Sequence, residues 1–319
     1  MERKTVMLAP MAGVADTAMR TLCAGYGADM TVTEMISAAA VCHNDKKTYK
    51  LAEIGEAETP CALQIFGHDP DGIAYALTAL YEAAKVKPCA FDINMGCPVK
   101  KVVRGGDGSA LMKDIKLAEK IISAAAKVSP VPVTVKMRAG YDKESVNAPE
   151  LARAAEAAGA SAICIHGRTR EDMYKSGTVR RDIIKETVSA VKIPVIANGD
   201  VFSGQDAVSM INETGAAGVA VARGALGNPF IFEEIKAAFD SKPYTPPTDL
   251  QRLQTAREHL RLLIQAKGER SGVLEARKHI AWYLKGMRFA AWARQTVNAA
   301  STEADMIKIL DRITEGLSK

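Results

Sequence analysis

Aromatic side chains are scarce here, 5% of 319 residues with only two tryptophans, whereas alanine, glycine and valine are plentiful. That composition suits helices and short buried strands packed closely, and it argues against an all-β sandwich. No apolar run approaches the roughly 18–20 residues that a membrane span requires. One segment imitates a secretory leader, Glu2-Arg3-Lys4 followed by Val6–Ala15, but Pro10 and Gly13 interrupt it. It reads better as a buried first strand entering a loop. The six cysteines (Cys23, Cys42, Cys61, Cys89, Cys97, Cys164) form no Cys-x-x-Cys pair and no Cys/His cluster. A metal site is therefore not expected, and a reduced, cytoplasmic protein is.

A large excess of one charge is also missing, since the net charge is only +5. Its distribution is more informative. Residues 241–319 hold 14 Lys/Arg against 8 Asp/Glu, a net of +6, while residues 1–240 hold 28 against 29, a net of −1. The positive excess is confined to the last quarter, which suggests a polyanionic partner there; a solvated helical face is the plainer alternative.

The length is large for one domain and small for three. A break is visible in the proline-rich segment Asp240–Asp249, where Pro243, Pro246 and Pro247 cannot continue a helix. It divides the chain into a domain over 1–240, a linker over 241–249 and a small all-helical domain over 250–319. In the last, Leu253, Ala256, Leu260, Leu263 and Ile264, then Ile280, Tyr283, Leu284 and Met287, recur at helical spacing. Before the break, eight short apolar runs alternate with helical stretches: Thr5–Ala9, Met30–Thr33, Ala62–Phe66, Ala90–Ile93, Val131–Lys136, Ala162–Ile165, Pro194–Ala197 and Ala217–Val221. The second is the least regular. Continuous apolar strands separated by helices imply a parallel sheet, and eight such units imply an α/β fold of the closed (β/α)8 TIM-barrel type. An open dinucleotide-binding sheet would normally carry Gly-x-Gly-x-x-Gly after its first strand, and Met11-Ala-Gly-Val does not supply it.

Barrel active sites lie at the C-terminal strand ends. The polar residues there are Glu34, Gln64, Asn94 with Cys97, Lys136 with Arg138, His166 with Arg168, Asn198 with Asp200, and Arg223. One such residue is more often a satisfied polar contact, but seven of eight strands ending this way favour a site. Cys97 stands in a Gly-Cys-Pro turn, and the following Lys100–Ser109 segment is basic and glycine-rich, suited to a mobile cover over a ligand. Cys23, Cys61 and Cys164 read instead as small buried hydrophobes. Asn198-Gly199-Asp200 and Ala222-Arg223-Gly224 place glycines at the ends of the last two strands, the recurrent phosphate position of barrels, with Arg223 to balance charge.

Ala9-Pro-Met-Ala-Gly13, Thr33-Glu-Met35, Gln64-Ile-Phe-Gly67, Asp92-Ile-Asn-Met-Gly-Cys-Pro98, Gly108-Ser-Ala-Leu111, Val135-Lys-Met-Arg138, His166-Gly-Arg-Thr169 and Asn198-Gly-Asp200 stand in one order. Together they resemble the tRNA-dihydrouridine synthases, and Lys100-Lys-Val102 with Ala276–Tyr283 is most similar to the bacterial B-type subfamily. Ala222 departs from the family's usual glycine, and Val179-Arg180-Arg181 replaces an aromatic-containing stretch. The resemblance implies an FMN-binding barrel, a tRNA-binding helical domain, and reduction of tRNA uridines to 5,6-dihydrouridine with NADPH (or NADH) as reductant. It implies Cys97 as proton donor, Lys136 beside the flavin's electron-accepting end, Gln64 at the ring edge and Pro10, Met11 and Ala12 along one ring face. Asn94, Arg138 and His166 would hold the base or the flavin, and Lys100 the RNA. Arg277 and Lys278 are expected to meet tRNA phosphates, with no obligate protein partner, membrane or metal. The rival expectations are a flavin barrel acting on a free metabolite, a Schiff-base lyase using Lys136, and a non-catalytic RNA-binding regulator.

Overall fold

The computed structural model describes residues 4–288 and 290–317. Its strands are β1 (Thr5–Leu8), β2 (Thr31–Val32), β3 (Ile36–Ser37), β4 (Cys61–Phe66), β5 (Ala90–Met95), β6 (Val133–Gly140), β7 (Ala162–Thr169), β8 (Val195–Asn198) and β9 (Gly218–Val221). All pair in parallel, and β2 and β3 are two pieces of one position, joining β4 at Thr31–Cys61 and Ile36–Ile65. β1 pairs with β9 on one side and bridges to Met30 through Met7 on the other, closing the ring. This is the (β/α)8 barrel that the alternating runs predict, with its irregular second unit explained by the split strand. β6 and β7 continue beyond their apolar runs, to Gly140 and Thr169, so Arg138, His166 and Arg168 belong to strands rather than to loops.

Alternation along each strand sorts the two faces. Leu8, Leu63, Ile65, Phe91, Ile93 and Ile163 join the main core between sheet and helices. The inward face carries Met7, Val32, Ala62, Ala90, Cys164, Ile196 and Ala220, a separate cluster of mostly small residues. Bulky branched side chains usually fill this space; alanines leave room above them. Gln64, Asn94, His166, Arg168 and Asn198 share the inward parity, two or four residues further along the same strands, and Lys136 and Arg138 alternate with the core residues Val135 and Met137 on β6.

Residues 242–248 have no regular structure, as three prolines dictate. Four helices follow, Asp249–Lys267, Glu269–Tyr283, Ala290–Val297 and Glu303–Leu317. Their apolar faces bury Leu253, Leu260, Leu263, Ile280, Tyr283 and Leu310 in a core of their own, which also takes Ala18 from the barrel. Polar contacts complete the docking. Tyr26 and Thr255 share a hydroxyl hydrogen bond of 2.7 Å, Lys267 Nζ donates to Asp16 at 2.7 Å, and the Lys278 ammonium donates to the Gly13 carbonyl. Among the described residues, no helix is long and apolar enough to cross a membrane.

Candidate active site

A cavity of about 440 Å³ lies at the C-terminal ends of the strands, within the usual range for cofactor and ligand sites. Pro10, Met11, Ala12, Gln64, Asn94, Cys97, Lys136, Arg138, His166, Asn198, Gly199, Asp200, Ala222, Arg223 and Gly224 all line it. Glu34 does not; its carboxylate accepts from Gly13 N–H and braces the β1 loop. Lys100 is exposed beyond the rim. Arg277 and Lys278 are also outside the cavity and have internal partners: Arg277 donates Nε and Nη2 to the Ala300 carbonyl at 2.9 and 2.6 Å, and Lys278 reaches Gly13. Sequence reasoning gave no site role to several lining residues, Met35, Tyr174, Phe202 and Trp282 among them. Trp282 arrives from the helical domain, its ring edge-on to His279 at 5.2 Å.

Cys97 is placed by a chain of directed hydrogen bonds. Buried Asp92 accepts from Gln64 Nε2 and Thr134 Oγ1, each at 2.6 Å. That fixes Gln64 with its Oε1 toward Asn94 Nδ2, 2.8 Å away. Asn94 Oδ1 is then left to accept from the backbone N–H groups of Gly96 and Cys97, at 3.1 and 2.9 Å. Burial raises the Asp92 carboxyl, against the opposing pull of Thr134, Gln64 and Lys136; accepting at both oxygens, it orients two amides in series and holds the Cys97 turn. From the other side, Arg138 Nε donates to the Gly96 carbonyl at 2.8 Å.

The Lys100–Ser109 segment is not an open cover. Lys100–Arg104 is helical, His68 holds Asp107 at 2.8 Å, and Ser109 N donates to the Cys97 carbonyl at 3.1 Å. Gly108, with φ of 59°, is where a Cβ would stand 3.0 Å from the Cys97 Cβ, so glycine permits close packing here rather than motion.

Burial pushes the Cys97 thiol up, and the charges of Arg138 and Lys136 only partly oppose it. The thiol is therefore protonated at neutral pH. Burial, reinforced by Arg138, Lys136, Arg168 and Arg223, holds His166 well below the usual imidazole range, leaving the ring neutral. Arg138 itself is pushed down to about 10 by burial, still a cation. Lys136 Nζ donates to Asn198 Oδ1 at 3.2 Å. At the far side, Asp200 accepts from the buried Arg168 at 2.5 Å and from Arg223 at 2.8 Å. The cavity therefore offers a neutral thiol, a cationic floor and a glycine-rich end with a cation. Among the described residues, no group of three or more His, Cys, Asp or Glu could hold a metal ion.

The dihydrouridine synthase family model matches residues 7–317. The chain belongs to the dihydrouridine synthase family. Among relatives of this synthase fold, tRNA-dihydrouridine synthase B of Pasteurella multocida is 38% identical over 312 residues, covering 97% of this chain and 92% of that one. The synthase B of Pseudomonas putida is 41% identical over 284 residues, covering 88% and 83%, and that of Xanthomonas campestris pv. campestris 40% over 299 residues, covering 93% and 89%. Of the synthase motifs read from the sequence, from Ala9-Pro-Met-Ala-Gly13 to Asn198-Gly-Asp200, all but Gly108-Ser-Ala-Leu111 contribute residues to this cavity, and that one packs behind Cys97.

Proposed function

We propose that this dihydrouridine synthase reduces the C5–C6 double bond of uridines in tRNA, with FMN in the barrel cavity and NADPH as reductant. The observation that carries the reading is the convergence of Cys97, Lys136, Gln64 and the two glycine loops on one cavity of about 440 Å³. The residues fit FMN: the Pro10–Ala12 segment lines one wall, Gln64 presents an amide, and Lys136 supplies a cation for an electron-rich ring. Gly199, Asp200, Ala222 and Gly224 border one end of the cavity, where Arg223 supplies positive charge for a phosphate.

When bound and reduced, FMN supplies the hydride that C6 of uracil takes up. Cys97 gives the balancing proton to C5. Its burial keeps the thiol protonated beforehand, and the nearby Lys136 and Arg138 charges favour the thiolate afterwards. Neutral His166 offers a hydrogen bond without competing as an acid. Asn94 and Arg138 serve chiefly by holding the Cys97 turn in place. A uridine stacked within folded RNA must leave its stack to reach this depth, and the basic helical domain, with the exposed Lys100 beyond the rim, is suited to grip the phosphates around it. Six unpaired thiols and a tRNA substrate suit a cytoplasmic protein.

The test is direct. Purified protein should show flavin absorbance, and restoring the gene to a deletion strain should return dihydrouridine to its tRNA. A colourless protein that takes up no FMN would overturn the reading. Arg223→Ala should weaken FMN retention, with saturating FMN restoring part of the activity.

A further inference from the structure

Two aromatic rings stand half in solvent at the cavity mouth, Tyr174 and Phe202, each 50% exposed, although both line the cavity. They come from different loops, after β7 and after β8. The Arg223 guanidinium lies between them, 5.8 Å from the Tyr174 ring and 5.7 Å from the Phe202 ring. A single exposed aromatic is ordinary; two rings from separate loops flanking one cation at a cavity mouth are not scattered surface.

Both positions are also held in advance. Arg168, fully buried, donates Nε and Nη2 to the Lys175 carbonyl at 2.8 and 2.6 Å, which pins the chain beside Tyr174. Arg138 Nη1 and Arg223 Nη1 take the Met173 and Tyr174 carbonyls at 3.0 and 3.1 Å. Phe202 N–H donates to Asp206 at 3.0 Å. Reduction of a uracil ring requires neither aromatic group; the Tyr174 ring also carries the Arg138 guanidinium, 5.5 Å from its centroid, yet half of it still faces solvent.

We propose that Tyr174 and Phe202, spaced by Arg223, form a stacking platform for a nucleobase of the tRNA adjacent to the extruded uridine. Extrusion strips that neighbour of its stacking partner, and an aromatic face replaces it without regard to sequence. The platform rests on the proposed action on uridine in tRNA.

Binding of labelled tRNA to the flavin-loaded protein across a salt series tests it. Tyr174→Ala and Phe202→Ala should each weaken binding roughly 5- to 150-fold, from about 1–3 kcal/mol per stacked base. The slope against salt should not change, because no phosphate contact is lost. Tyr174→Phe, which keeps the ring, should bind like the wild type. Flavin content and flavin reduction by NADPH report independently on the fold and on the reductant. Wild-type tRNA affinity in both alanine variants would overturn the platform. So would slowed reduction by NADPH with tRNA binding intact, which would assign the rings to the dinucleotide. A wild-type protein that binds no tRNA at all would overturn the functional reading, and the platform with it.

Discussion

Gly227 lies against the backbone of Trp282: a Cβ on it would stand 2.4 Å from the Trp282 carbonyl carbon and 2.5 Å from Tyr283 N. Its φ of 64° is also left-handed, so this loop tolerates neither the bulk nor the conformation of another residue. Gly227→Ala should cost roughly 1–2 kcal/mol for the backbone conformation and about 1–3 kcal/mol for overpacking. Urea denaturation would measure it, with a shift in tryptophan emission as the helix lifts. An unchanged midpoint would mean that the contact yields freely.

Cys97→Ala should keep FMN and its reduction by NADPH, yet lose about 10²- to 10⁴-fold in dihydrouridine formation. Because burial raises the thiol, the wild-type rate of uridine reduction should stay flat up to about pH 8.5, the ordinary thiol value, and fall only above it. Single-turnover rates with pre-reduced protein test both points. An alanine variant with near-normal turnover would remove Cys97 from the chemistry.

Asp92→Asn should expose the directional chain behind Cys97. An amide both donates and accepts, so Gln64 becomes free to turn over and the Asn94 carbonyl loses its fixed aim. Turnover should drop by up to about 10²-fold, while KM for tRNA and flavin content stay near wild type. A rise in KM alone would place Asp92 in binding rather than in positioning.

The helical domain should weaken in acid. The His259 and His279 rings lie tilted against each other with centroids 4.3 Å apart, and neither Nε2 has a hydrogen-bond partner. Burial pushes His259 down to about 4 and His279 down to about 2, so both are neutral when folded. Unfolded, each takes up a proton near pH 6.5, and the unfolded state then binds more protons. Stability is therefore full above about pH 6.5 and is lost as pH falls toward 4, by about 2 kcal/mol per histidine at pH 5. Denaturation midpoints at pH 7.5 and 5 measure this, and His279→Gln should flatten the dependence.

Replacing Arg277 and Lys278 together with alanine should weaken tRNA binding and flatten its salt dependence. Stability should fall too, because the Ala300 and Gly13 carbonyls lose their donors. The exposed Arg270 and Arg294 provide the comparison: their replacement should reduce the salt slope without moving the thermal midpoint. Equal affinity and slope in the Arg277/Lys278 variant would leave those two residues a purely structural role.

The barrel and most of the cavity were legible because their signals are local. Lys136 with Arg138, and His166 with Arg168, are spaced two apart on strands whose parity already points inward. Trp282 was not legible, because its place in the wall depends on a glycine across the domain boundary. Tyr174 and Phe202 look like any surface aromatic until Arg223 is found between them. A glycine's use is equally hidden: Gly108 suggested a mobile loop, and only its nearness to Cys97 reveals a packing role. Arg277 and Lys278 carried the right charge, but charge says nothing about which carbonyl lies within reach.

Asp16 begins the barrel's first helix by accepting from Met19 N–H, and the same carboxylate receives Lys267 from the helical domain. Although burial opposes its charge, Lys267 and that N–H hold it below the usual carboxylate range. The lobes are thus clasped at a buried ion, at Gly13 and at Gly227, three contacts outside the proline connector that joins them covalently. A jaw so fastened keeps its mouth in one shape. On the proposed function, the distortion that brings a uridine to Cys97 then falls on the RNA, and local stiffness of the nucleic acid becomes part of what would decide which uridines are reduced.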